Sequence, residues 1–105
     1  MIEWYPDLYV DQKTEKKIKK IMARIEKGKP ALNIYAICIP TNPNNLFDII
    51  NVNELLFRYY KRKTVRIVGL ASGKDSAVHV LKDMIDDMLE KSGDLKPKEF
   101  FDTFL

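Results

Sequence analysis

The chain has 105 residues, 46% of them hydrophobic and 31% charged, and a formal net charge of +3. That length supports one core and not two, and the mixture is that of a globular domain rather than a disordered chain. No run approaches the ~20 apolar residues of a membrane span, and a single cysteine, Cys38, excludes both an intrachain disulfide and a paired-cysteine metal site.

Residues 1–10, MIEWYPDLYV, carry Trp4, Tyr5 and Tyr9 and are interrupted by Pro6. They lack the basic-then-apolar order of a secretory signal, which points to a cytoplasmic protein. They read as an extended arm packed against the domain, because three exposed aromatics on a free tail cost burial energy. A helix is predicted over 12–27, with Asp11 as its N-cap. Ile18, Ile21, Met22 and Ile25 recur at the spacing of one helical face, the other face is dense in lysine, and Gly28 and Pro30 stop the helix.

A strand is predicted over 32–39. Leu32, Ile34, Ala36 and Cys38 fall on one side of it and Tyr35, Ile37 and Ile39 on the other. Two apolar faces mean a strand covered on both sides, as in parallel α/β sheets. PTNPNN, 40–45, is a loop signal. Residues 46–52 read equally as a short strand or a helical turn, and Asn53 is placed to cap a second helix over 53–61. A second strand follows over 64–70. The third helix carries an apolar stripe of Ala77, Val78, Leu81, Met84, Ile85, Met88 and Leu89, and Gly93 ends it. Pro97 suits the start of a short last helix that lays Phe100, Phe101 and Phe104 on the core.

This pattern predicts one small α/β domain, 1–105, in the order α-β-α-β-α-α. Its sheet is expected to have two or three mainly parallel strands with packed helices and a βαβ crossover. So small a sheet leaves edges open, to be covered by the N-terminal arm, by 46–52 or by a second subunit.

With parallel strands, the loops 40–45 and 71–75 share one rim, the usual ligand position in open α/β sheets. Ser72, Gly73, Lys74 and Ser76, with Asn42 and Asn45 opposite, are then the candidate anion-binding residues, because free N–H groups at a helix start favour negative charge. The competing reading is a plain helix cap, in which Ser72 or Asp75 accepts helix N–H bonds and Gly73 relaxes the turn. A Walker loop does not fit. Counted from Gly69, Gly73 comes one residue early, and Asp75 stands where the magnesium-binding hydroxyl belongs.

Cys38 lies in an apolar run and reads as a core residue. His79 lies between Asp75 and Asp83 on the third helix, a solvated acidic face whose alternative is an oxygen-and-nitrogen cation site. No nucleophile–histidine arrangement follows from one histidine and one cysteine in unrelated contexts, so no catalytic residue is assigned.

Basic residues form two groups. Lys13, Lys16, Lys17, Lys19, Lys20, Arg24 and Lys27 lie on the first helix; Arg58, Lys61, Arg62, Lys63 and Arg66 are interleaved with Phe57, Tyr59 and Tyr60. Such groups suit nucleic-acid backbones and bases, and equally a solubilising outer face. Residues 1–71 carry a net charge of about +6 and 72–105 about −3, an asymmetry able to steer self-association or an anionic partner.

The letters ASGKDSAV, 71–78, resemble the SGG-x-DS phosphate loop of the ATP pyrophosphatase group, which adenylates its substrates. Ala71 stands here for the loop's first serine and Ser72 for its first glycine. Over its whole length, through YPDLYV, LNIYAICIPTNPNNLFDIINVNELL, VRIVGLASGKDSAVHVLKDMIDDMLEKSGD and EFFDTFL, the chain resembles a group of small bacterial proteins with no assigned activity. That likeness supplies no catalytic residues. The resulting expectation is a cytoplasmic binding or interaction module, a homodimer that hides a sheet edge, with no cofactor and no membrane association. A small anionic ligand at the 71–76 turn and nucleic acid on the basic helices stand as its alternatives.

Overall fold

The computed structural model describes residues 1–42, 44–57, 60 and 62–101. The chain opens on a strand, β1 (Ile2–Val10), followed by two short helices, α1 (Gln12–Glu15) and α2 (Ile18–Glu26). Then come β2 (Ile34–Cys38), β3 (Asp48–Asn51), a 3-10 helix (Val52–Leu56), β4 (Val65–Ser72), α3 (Lys74–Ser92) and α4 (Pro97–Phe100). The sheet has four strands in the order β1-β4-β2-β3. β1 is parallel to β4, and β2 is antiparallel to both of its neighbours.

This mixed sheet corrects the expected two- or three-stranded, mainly parallel one, and the order starts with a strand rather than a helix. Both faces of β2 are covered over Ile34–Cys38, as its apolar pattern predicts, but Leu32, expected on the same face as Ile34, precedes the strand and is 93% exposed. Ile34, Ala36 and Cys38 join one core cluster with α2 and the 3-10 helix; Ile37, Tyr35 and Ile39 join the other beneath α3. Burial on two faces reports helices on two sides and carries no information about direction. Direction follows from the connection. β3 folds back on β2, with Ala36 opposite Ile50 and Ile37 opposite Ile49, so the chain re-enters the sheet at β4 running with β3 and against β2. Both outer strands come from segments expected to cover an edge: the N-terminal arm forms β1 and 46–52 contributes β3.

β4 carries a break in its alternation. Val65, Ile67 and Leu70 belong to the α2-side cluster, Val68 and Ala71 to the α3-side cluster. The parity changes where the register against β2 slips between Ile37 and Cys38, and that against β1 between Trp4 and Tyr9, around Pro6. An extra residue in one strand re-aims the side chains beyond it, and proline is tolerated at such an irregularity on an outer strand. Gly69 lies beside the slip. A Cβ there would lie 3.2 Å from both Ile37 Cδ1 and the Tyr9 carbonyl oxygen, so the neighbouring strands close on bare backbone.

The helix expected over 12–27 is broken at Lys16 and Lys17 into α1 and α2. Each piece is anchored by a different contact: α1 by fully buried Thr14, whose hydroxyl meets that of Ser72 at 2.8 Å, and α2 by Ile21 and Ile25 in the core. Asp11 caps α1 as expected. The second helix is capped by Asn51 with Glu54 in a capping box, not by Asn53, whose side chain instead accepts the Ala31 N–H at 2.8 Å. Its expected second half falls largely outside the described residues. On α3 the buried stripe is Ala77, Val80, Met84 and Met88, while Val78 and Leu89 point outward. Gly93 closes α3 in the left-handed conformation. Phe101 follows α4 and is wholly buried, whereas Phe104 lies outside the described residues.

Candidate anion-binding groove

Because β2 runs against β4, the residues nominated from sequence separate. Ser72, Gly73, Lys74 and Ser76 lie at the junction of β4 and α3; Asn42 and Asn45 lie beyond the far end of β2. The shared rim does not form. Asn42 and Asn45 are engaged in their own loop, the first accepting the Asn44 N–H at 2.9 Å, the second donating to Asp48 at 3.1 Å. They border a shallow cavity of about 270 Å³ that also takes in Lys96 and Lys98.

The strand that does share the β4 rim is β1, and it delivers Asp11. Asp11 accepts the Thr14 N–H at 3.0 Å and the Ser72 N–H at 3.3 Å, and the Ser76 hydroxyl also bonds to it. Burial opposes its charge, but the bonds from Thr14, Ser72 and Ser76 outweigh that and hold its carboxyl below the ordinary value. Gly73 is the N-cap residue of α3 at φ 100°, with no side-chain cap of its own; its N–H donates to the Asn33 carbonyl at 2.8 Å. A carboxylate of the chain itself thus lies against the turn nominated for an external anion.

The adjacent groove is a different matter. α1 and α2 form one wall, and residues 31–34, leading into β2, form the other. Lys13, Lys17, Lys20 and Arg24 line it over a floor of Ile21, Ala31 and Ile34, with Leu32, Asn33 and Ser72 completing a cavity of about 420 Å³. The cations stand at positions i, i+4, i+7 and i+11, the spacing of one helical face. Among the described residues, no carboxylate lines the cavity. Arg24 is tied down, its Nε donating to the Pro30 carbonyl at 2.8 Å, while Lys13, Lys17 and Lys20 make no ion pair among the described residues. The opposite wall turns at Asn33, whose φ of 58° is a left-handed conformation that asparagine tolerates. Leu32 is left 93% exposed beside the groove.

Of the nominated anion-binding residues, only Ser72 lines this groove. The lysine face was visible in the sequence, but Ala31, Leu32 and Asn33 were missed as its second wall. Only their position after Gly28 and Pro30, in a return turn, hinted at it. In the second basic group, Arg58 and Lys61 lie outside the described residues. Arg62 is exposed and Lys63 half-buried. Arg66 faces its cross-strand neighbour Glu3 at 3.8 Å.

His79 is exposed, and Asp87 accepts the Tyr9 hydroxyl at 2.7 Å, which together with burial raises the Tyr9 pKa well above its ordinary value. Among the described residues, no group of three or more His, Cys, Asp or Glu side chains is placed to hold a metal ion. Cys38 is buried, and burial, helped by Asp48, pushes its thiol up to about 12. Native protein at neutral pH is therefore expected to resist a thiol-specific dye and to react fully once unfolded; fast labelling of the native state would contradict the placement of Cys38. No helix among the described residues is long and apolar enough to cross a membrane.

No protein-family model, no curated protein and no solved structure matches the chain. The likeness to small bacterial proteins therefore brings no family assignment, and the groove has to be read from its own chemistry.

Proposed function

We propose that the chain is an interaction module whose working surface is the α1–α2 groove and whose ligand is a macromolecule bearing negative charge. The observation that carries this reading is the lining itself: four cations over an aliphatic floor, with no carboxylate among the described lining residues. Like charges gathered along one concave face repel each other in the free protein and are relieved when an anion binds. Exposed Leu32 at the groove gives an apolar side of the ligand somewhere to pack, so a partner with both characters fits better than a bare phosphate.

The test uses Lys17→Glu/Lys20→Glu and two fluorescent probes, an acidic peptide and a single-stranded oligonucleotide, read by anisotropy at low salt. Wild type is expected to bind at least one probe, with affinity falling as salt rises. The double variant should lose at least about tenfold, equivalent to ~1.4 kcal/mol. Failure of both probes at low salt would remove the reading. So would equal binding by wild type and the variant, because the groove would then not be the surface used.

A further inference from the structure

The face of the molecule opposite the groove carries its electrostatic complement. On α3, Asp75, Asp83, Asp86 and Glu90 are all exposed and, at 100° per residue, fall within an arc of about 80°. His79 lies inside that arc and Lys82 at its edge. Beside the acids, Val78 and Leu89 are 52% and 48% exposed, leaving apolar surface next to negative charge. None of the four carboxylates makes an ion pair among the described residues.

The two surfaces match in kind. The groove cations lie along α1 and α2 between Lys13 and Arg24, and the acids on α3 span 15 residues, roughly 22 Å. Each surface joins a charged row to exposed aliphatic side chains: Leu32 at the groove, Val78 and Leu89 on α3. They cannot meet within one molecule, because α2 packs on one face of the sheet and α3 on the other. Among the described residues the groove also has no aromatic side chain on which a base could stack, so exposed Leu32 would go unused by a nucleic-acid strand.

We propose that the occupant of the groove is the outer face of α3 from a second copy of this chain, so that copies associate head to tail. This rests on the reading of the groove as the anion-binding surface and names its partner. The contact is heterologous. Each copy keeps one free groove and one free acidic face, so association propagates into rings or open chains rather than stopping at a two-fold dimer.

The test is sedimentation of wild type, of Lys17→Glu/Lys20→Glu and of Asp83→Asn/Asp86→Asn, with circular dichroism confirming that each variant is folded. In about 0.01 M salt, where the Debye length is ~30 Å, the wild-type average mass is expected to rise with concentration. In about 1 M salt, where it is ~3 Å, the mass should fall toward the 12.3 kDa monomer. Each variant alone has lost one of the two surfaces and should stay monomeric. Their equimolar mixture retains one intact groove and one intact acidic face, and should form a one-to-one pair that does not grow further.

A wild type that stays monomeric at low salt, or a mixture that fails to pair, overturns the proposal. If such a protein still binds the acidic peptide or the oligonucleotide through its groove, the anionic-partner reading stands, and the occupant is a different acidic protein or a nucleic acid. If it binds neither probe, both readings fall together.

Discussion

Replacing Phe101 with alanine should cost about 3–5 kcal/mol, the range for emptying a buried aromatic site. Phe101 is fully buried and lies where three separate segments meet. Its ring packs edge-on against Tyr5 of β1 with centroids 4.8 Å apart, against Phe100 of α4 at 5.0 Å, and against Phe47 before β3 at 6.2 Å. Such pairs contribute beyond the area they bury. The loss would also be poorly relieved by collapse, because the lining comes from β1, from the segment before β3 and from the closing helix. In a chain of this size, a thermal midpoint lower by more than about 12 °C is expected, together with a lower urea midpoint. Phe100→Ala, at a half-buried position, should cost clearly less. Equal losses at the two positions would contradict the packing described.

The position of Phe101 shows how far the sequence could be read. The spacing of Phe100 and Phe101 after Pro97 was enough to place aromatics on the core, because local geometry determines which side of a short helix a residue faces. It could not name Tyr5 and Phe47 as partners, because those contacts depend on where β1 and β3 sit in the sheet. The same division runs through the fold. The alternation Ile34–Ala36–Cys38 against Tyr35–Ile37–Ile39 revealed a strand buried on both faces, since burial is written in side-chain chemistry. Strand direction is written in the connections, and four residues of β3 turned an expected parallel crossover into an antiparallel hairpin. The expected α3 stripe holds at Ala77, Met84 and Met88 and fails at Val78 and Leu89, which are apolar yet lie outside while the packing seats Val80 on the sheet.

For the candidate site, the consequence was larger. Joining the 40–45 loop to the 71–76 turn required β2 and β4 to run together, and their opposition separates the two sets of residues by the length of the sheet. Of the seven basic residues expected on the first helix, Lys13, Lys17, Lys20 and Arg24 line the groove and recur at helical spacing. Even the break at Lys16 and Lys17 leaves Lys13, Lys17, Lys20 and Arg24 lining a single groove. What distinguishes that row from an ordinary solubilising face is the wall opposite it, and a wall supplied by another segment is a tertiary fact.

Asp11→Ala is the second substitution expected to weaken the molecule strongly, by about 2 kcal/mol. Loss of an N-cap side chain costs ~0.5–2 kcal/mol, and here the same carboxylate also receives the Ser72 N–H at 3.3 Å and the Ser76 hydroxyl, donors left unsatisfied in the variant. The thermal midpoint should fall by about 10 °C. The pH dependence identifies the cause. The folded-state pKa of Asp11 lies below its unfolded value because those bonds favour the charged form. Its contribution is therefore fully present above the unfolded pKa of about 3.9 and is lost as pH falls through the folded value. The stability gap between wild type and Asp11→Ala should be constant from neutral pH down to about 5 and close below about 4, followed by urea unfolding across that range. A gap that persists unchanged in acid would mean that packing, not the charged carboxylate, holds the β1–α1 corner to the start of α3.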